Sequence, residues 1–101
     1  MRLYYVDYVN HMLKNYVGHA IENLQNETER TNWYACDRAM QTLDEPDRKM
    51  IWEIYGRVTY KDPKPLPAVV NEYCVDTNQD FGIVMNLVRR ITKMVKKERG
   101  L

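Results

Sequence analysis

The sequence predicts an all-α fold, a compact five-helix bundle, on three observations. Apolar side chains recur three and four positions apart in five separate segments, which is the period of a helix with one buried face. Residues that start and stop helices stand at the boundaries between those segments. The composition, 45% hydrophobic and 29% charged over 101 residues, is that of an ordinary globular domain rather than a disordered or fibrous chain. This length fits one domain spanning residues 1–101, and a second independent core is not expected.

The first segment, roughly residues 2–25, places Tyr5, Val9, Met12, Tyr16, Ala20 and Leu24 on one stripe, widened by Val6, Leu13, Val17 and Ile21. A bracing helix that touches neighbours on two sides is expected there, with Gly18 inside it at a cost of about 1 kcal/mol relative to alanine. The polar run Asn26 to Thr31 reads as a turn. Trp33, Cys36, Met40 and Leu43 then carry a second helix to about residue 43. Asp44-Glu45-Pro46-Asp47 supplies a cap, a proline where a missing N–H costs nothing, and acid against the positive end of the helix dipole. The third helix therefore starts there, turns Met50, Ile51, Ile54 and Tyr55 inward, and stops at Gly56.

Residues 57–65 hold two prolines and little periodicity, so they form the longest irregular connection. Pro67 fits the first turn of a short fourth helix carrying Ala68, Val69, Val70, Tyr73 and Cys74. Thr77 with Asp80 reads as an acidic variant of the capping box for the last helix. That helix has Val84, Leu87, Val88, Ile91, Met94 and Val95 as its inner stripe and Gly100 as its C-terminal stop.

Signatures of catalysis and cofactor binding are missing: there is no glycine-rich phosphate loop, no nucleophile elbow and no paired-cysteine metal spacing. His11 and His19 are two helical turns apart, too far to share a metal from one helix. The sequence therefore reads as that of a protein that is not an enzyme, with no metal and no cofactor. Cys36 and Cys74 stand apart among apolar or helix-forming neighbours and read as reduced, buried thiols. No apolar run approaches the roughly 18 residues that cross a bilayer. A cytoplasmic protein with no membrane partner is expected.

Charge is distributed unevenly. The net charge is only +1, yet residues 81–101 hold six basic side chains against Glu98 alone, a net of +5, and residues 1–80 hold nine basic against 13 acidic, a net of −4. With the apolar stripe of the last helix turned inward, Gln79, Asn86, Arg89, Arg90 and Lys93 project outward, joined by Lys97. Amide and guanidinium groups on such a face can read base edges, Gln or Asn on adenine and Arg on guanine, while lysines meet phosphates. The competing reading is a solvated basic surface that complements the negative end of the helix dipole. A second candidate surface is aromatic. Of the eight tyrosines, Tyr4, Tyr5, Tyr8 and Tyr16 lie on the first helix and could form a contact face, although core packing explains helical stripes as well.

The stretch from Cys36 to Tyr55, followed after a gap by Leu66 to Val75 and Asp76 to Val95, resembles region four of bacterial sigma factors and the short regulators of phages and mobile elements. The resemblance covers about the last two-thirds of the chain. It implies a helix-turn-helix-like unit over residues 36–99, with a scaffold helix, a turn and a recognition helix that enters the major groove. The function implied is a DNA-binding transcriptional regulator whose partner is double-stranded DNA. The alternative is a non-enzymatic protein-interaction module acting through the aromatic first helix, as a homodimer or on RNA polymerase or another protein.

Overall fold

A computed structural model describes residues 2–59 and 64–101, and for residues 2–7 the backbone alone. The chain forms α1 (Arg2–Gly18), a single 3-10 turn (Ile21–Asn23), α2 (Glu27–Gln41), α3 (Glu45–Gly56), α4 (Leu66–Thr77) and α5 (Phe81–Arg99). No strand occurs among the described residues. The all-α five-helix arrangement expected from the periodicity is what the chain adopts, with a radius of gyration of 13.1 Å against about 13 Å for a compact chain of this length.

α1 buries Val9, Met12, Leu13 and Tyr16, one stripe at helical spacing, and packs on α2, α3 and α5. It stops at Gly18 rather than continuing to residue 25. Beyond it Ala20 is exposed and Leu24 only half-buried. The segment beyond Gly18 is instead held by side chains of α2, one of which takes the His19 carbonyl that a continuing helix would use internally. Trp33 Nε1 donates to the His19 carbonyl at 3.2 Å, and Arg30 Nη1 donates to the carbonyls of Leu24 and Gln25 at 3.1 and 3.2 Å. A glycine with poor helix propensity is a cheap place to leave the helix.

α2 begins earlier than the polar run implied. Asn26 is its N-cap, with Oδ1 accepting from the Glu29 amide at 2.7 Å, and Glu27 and Glu29 face the positive dipole end. Residues 27–31 are exposed helix rather than turn. The inner face of α2 carries small side chains, with Ala35, Cys36 and Ala39 all at 0% exposure. Its partner α5 makes the most extensive helix contact in the fold.

α3 starts and stops at the expected residues, with Pro46 in its first turn. Its last turn is tied to α1: Tyr55 donates from its hydroxyl to Asn10 Oδ1 at 2.7 Å, and Lys14 Nζ donates to the Tyr55 carbonyl at 3.2 Å. That places a cation on the negative helix end. Of the 57–65 connection, residues 60–63 lie outside the described residues.

α4 carries Pro67 in its first turn and buries Val69, Val70, Tyr73 and Cys74, while Ala68 faces out. It ends at Asn78, whose φ of 56° is left-handed, a conformation that asparagine tolerates better than most residues. α5 starts three residues later. Asp80, not Thr77, is the cap: its Oδ1 accepts from the Ile83 amide at 2.9 Å, and the Thr77 hydroxyl donates back to the Tyr73 carbonyl. α5 buries Val84, Met85, Leu87, Val88, Ile91 and Val95 and closes at Gly100 with a φ of 78°. It touches every other helix, so the core of the molecule is built around its inner face. Cys36 and Cys74 are free and buried. Among the described residues no helix is long and apolar enough to cross a membrane.

Candidate nucleic-acid interface

α4 and α5 pack against each other and are joined by the three residues 78–80. The left-handed Asn78 reverses the chain, and the Asp80 cap points it into α5. Because the inner stripe of α5 is held in the core from Val84 to Val95, the opposite face is fixed in solvent. Asn86, Arg89, Arg90, Lys93, Lys96 and Lys97 are all exposed there. The cationic stripe spans residues 89–97, about 12 Å at the rise of a helix.

Neighbouring helices tune that face. Arg90 Nη2 lies 3.3 Å from Asp47 Oδ2 on the first turn of α3, with the two side chains 58% and 36% exposed. Arg89 Nη1 donates to Asn86 Oδ1 at 3.3 Å, one turn back on α5. Glu98, the single acid of α5, is engaged by Arg38 of α2 at 3.0 Å. Arg99 is directed away from the stripe, donating to Asn32 Oδ1 at 2.6 Å. The pairs are solvent-exposed and therefore each worth less than about 1 kcal/mol, so a phosphate can compete for either arginine.

The sequence-derived contact residues divide accordingly. Asn86, Arg89, Arg90, Lys93 and Lys97 share one helix face. Gln79 is exposed but sits in the turn before α5, not on the helix. Two features escaped the sequence reading. Asp47 of α3 stands against the stripe and holds Arg90. Ile83, 71% exposed, and Phe81, 41% exposed, put apolar side chains outside the inner stripe at the start of α5, positions the sequence reading left unassigned. The spacing of three between Ile83 and Asn86 was the available sign. Ile83 rims a shallow groove of about 350 Å³ between α3 and α5, lined also by Asp47, Met50, Asn86, Leu87 and Arg90.

The aromatic surface expected on the first helix takes a different form. Side chains of Tyr4 and Tyr5 lie outside the described residues. Tyr8 is half-buried and accepts from Asn32 Nδ2 at 3.0 Å. Tyr16 is not a surface residue: it is 9% exposed, donates to Asp37 Oδ1 at 2.8 Å, and packs between Trp33 and Trp52 at centroid distances of 5.1 and 5.7 Å. Burial, with the Asp37 hydrogen bond second, pushes its phenol well above the ordinary tyrosine range. Besides Phe81, the exposed aromatic rings among the described residues are Trp52 of α3 and Tyr34 of α2, at 47% and 49% exposure. Among the described residues no three His, Cys, Asp or Glu side chains come together as a metal site.

No family model, curated protein or solved structure matches this chain. The functional reading therefore rests on the geometry of α5 and its neighbours.

Proposed function

We propose that the chain is a DNA-binding transcriptional regulator that uses α4, the 78–80 turn and α5 as a helix-turn-helix-like unit, with α1 as the brace. The observation that carries the reading is the division of α5 into two faces. One is locked in the core, and the other presents one amide and a run of guanidinium and ammonium groups with the lone glutamate drawn off to α2. A three-residue turn is of the length that joins the two helices of such a unit. An α-helix fits the major groove of duplex DNA, where Asn and Arg can meet base edges and Lys the phosphates. The resemblance to sigma region four and to short phage and mobile-element regulators supports a role at promoters.

Alanine at both Arg89 and Arg90 tests this. Duplex affinity falls about tenfold or more, while the melting midpoint drops by no more than about 8 °C, the limit set by losing the exposed Arg90–Asp47 pair. Unchanged affinity overturns the assignment.

A second reading is favoured by Trp52 and Tyr34, half-exposed rings at either end of the row Trp52, Tyr16, Trp33, Tyr34. Such a surface fits a protein contact, with RNA polymerase, another protein or a second copy of the chain. Binding there is nearly insensitive to salt, which separates it from the DNA reading.

A further inference from the structure

Six large apolar side chains are exposed among the described residues, and three of them, Val75, Phe81 and Ile83, flank the turn that leads into α5. Ile83 is 71% exposed, whereas the apolar residues of α5 from Val84 to Val95 face the core. It stands one turn before Asn86, so the two side chains are neighbours on the helix surface. Between Phe81 and Ile83, on the outer side, is Gly82. A Cβ built there would lie 3.2 Å from Asp80 Oδ1, so the missing side chain keeps the cap undisturbed and leaves the first turn of α5 thin. The helix thus begins with a bare backbone patch flanked by apolar groups, continues with a carboxamide, and becomes cationic only from Arg89.

That order has a counterpart in the major groove. The N-terminal residues of a recognition helix meet base edges, and later ones approach the backbone. Thymine offers there a C5-methyl group beside an O4 acceptor, and adenine offers the N7 acceptor with the N6 donor. Asn86 has the matching donor and acceptor. Its Oδ1 already accepts from Arg89, yet an amide oxygen has two lone pairs, and one remains for N6.

We infer that the first two turns of α5 read an A·T-containing step, with Ile83 covering a thymine methyl and Asn86 pairing with adenine. This inference rests on the DNA-binding reading above and goes beyond it by naming the base class. Ile83 acts by shape and dehydration alone, so its contribution depends on the methyl group and not on the phosphates.

The experiment selects the preferred duplex from a random-sequence pool and then remakes it with uracil in place of thymine, which removes the methyl and nothing else. The wild-type chain loses about fourfold in affinity for each methyl that Ile83 covers, equivalent to the roughly 0.8 kcal/mol of one buried carbon. Ile83→Ala binds the two duplexes alike and keeps the wild-type salt dependence. A pool without preference for A·T steps, equal wild-type affinity for the two duplexes, or an Ile83→Ala chain that still discriminates overturns the inference and leaves non-specific DNA binding standing. A wild-type chain with no salt-sensitive affinity for any duplex removes both.

Discussion

Asp47→Asn isolates the ion pair that restrains the cationic face. Arg90 Nη2 and Asp47 Oδ2 are 3.3 Å apart with both side chains well exposed, so the pair stabilises the fold by about 0.2–1 kcal/mol. Asp47 also lies in the first turn of α3, where a negative charge adds about 0.3–1 kcal/mol against the dipole. The variant should therefore lose at most about 2 kcal/mol of stability. Its DNA binding should improve, because a competing carboxylate is gone and Arg90 is released to a phosphate. One added phosphate contact steepens the dependence of log affinity on log salt by about 0.9, so raising salt fourfold costs the variant about 3.5 times more affinity than it costs the parent. Fluorescence anisotropy with a labelled duplex at several salt concentrations reads both quantities. Equal affinity and equal slope for the two proteins would show that Asp47 does not compete with DNA for Arg90.

The inner and outer faces of α5 should respond oppositely to truncation. Ile91→Ala, at a position with 0% exposure, should cost about 2–5 kcal/mol in denaturant unfolding, whereas Lys93→Ala, fully on the outer face, should change stability by no more than about 0.5 kcal/mol; similar losses for both would contradict the two-faced assignment. Alkaline pH should destabilise the protein. Burial, aided by the charge of Asp37, pushes the Cys36 thiol from 9.0 up to about 12, and burial raises Tyr55 and Tyr16 in the same direction. Each of these groups is neutral when protonated and loses its proton more readily in the unfolded chain. Their stabilising contribution is whole below about pH 9 and is lost as pH rises toward the folded-state values, Cys36 alone accounting for about 2 kcal/mol by about pH 10.5. A melting midpoint that stays flat between about pH 8 and pH 10.5 would contradict this, and Cys36→Ala should flatten the slope in part.

Elements whose ends depend on local chemistry were readable from the residues alone. Pro46 and Gly56 bound α3, whose N-cap Asp44 makes no side-chain cap hydrogen bond, and Gly100 ends α5, because a ring-constrained φ and a left-handed glycine act within a few residues. The end of α1 was not readable, since Trp33 reaches back from α2 to the carbonyl at 19, and Arg30 holds the carbonyls at 24 and 25 of the segment beyond it. Asn26 to Thr31 looks like a turn because its polar letters are equally those of an exposed, capped first helical turn. Tyr16 shares a stripe with core residues, and only its bond to Asp37 shows that its polar tip is satisfied inside. Trp52 and Tyr34 each adjoin a fully buried residue, Ile51 and Ala35, and a shift of one position along a helix turns a side chain by about 100°. The outer face of α5 was legible for Asn86, Arg89, Arg90, Lys93 and Lys97. Asp47 belongs to another helix 43 positions away from Arg90, a proximity no local pattern encodes.

The most direct measurement is the affinity of the wild-type chain for a short random-sequence duplex at about 50 mM and about 200 mM salt. If three or four of Arg89, Arg90, Lys93 and Lys97 sit on phosphates, affinity falls about 40- to 150-fold between the two conditions. A change of less than about fourfold, or no binding at the lower salt, would mean that the outer face of α5 is only a solvated surface.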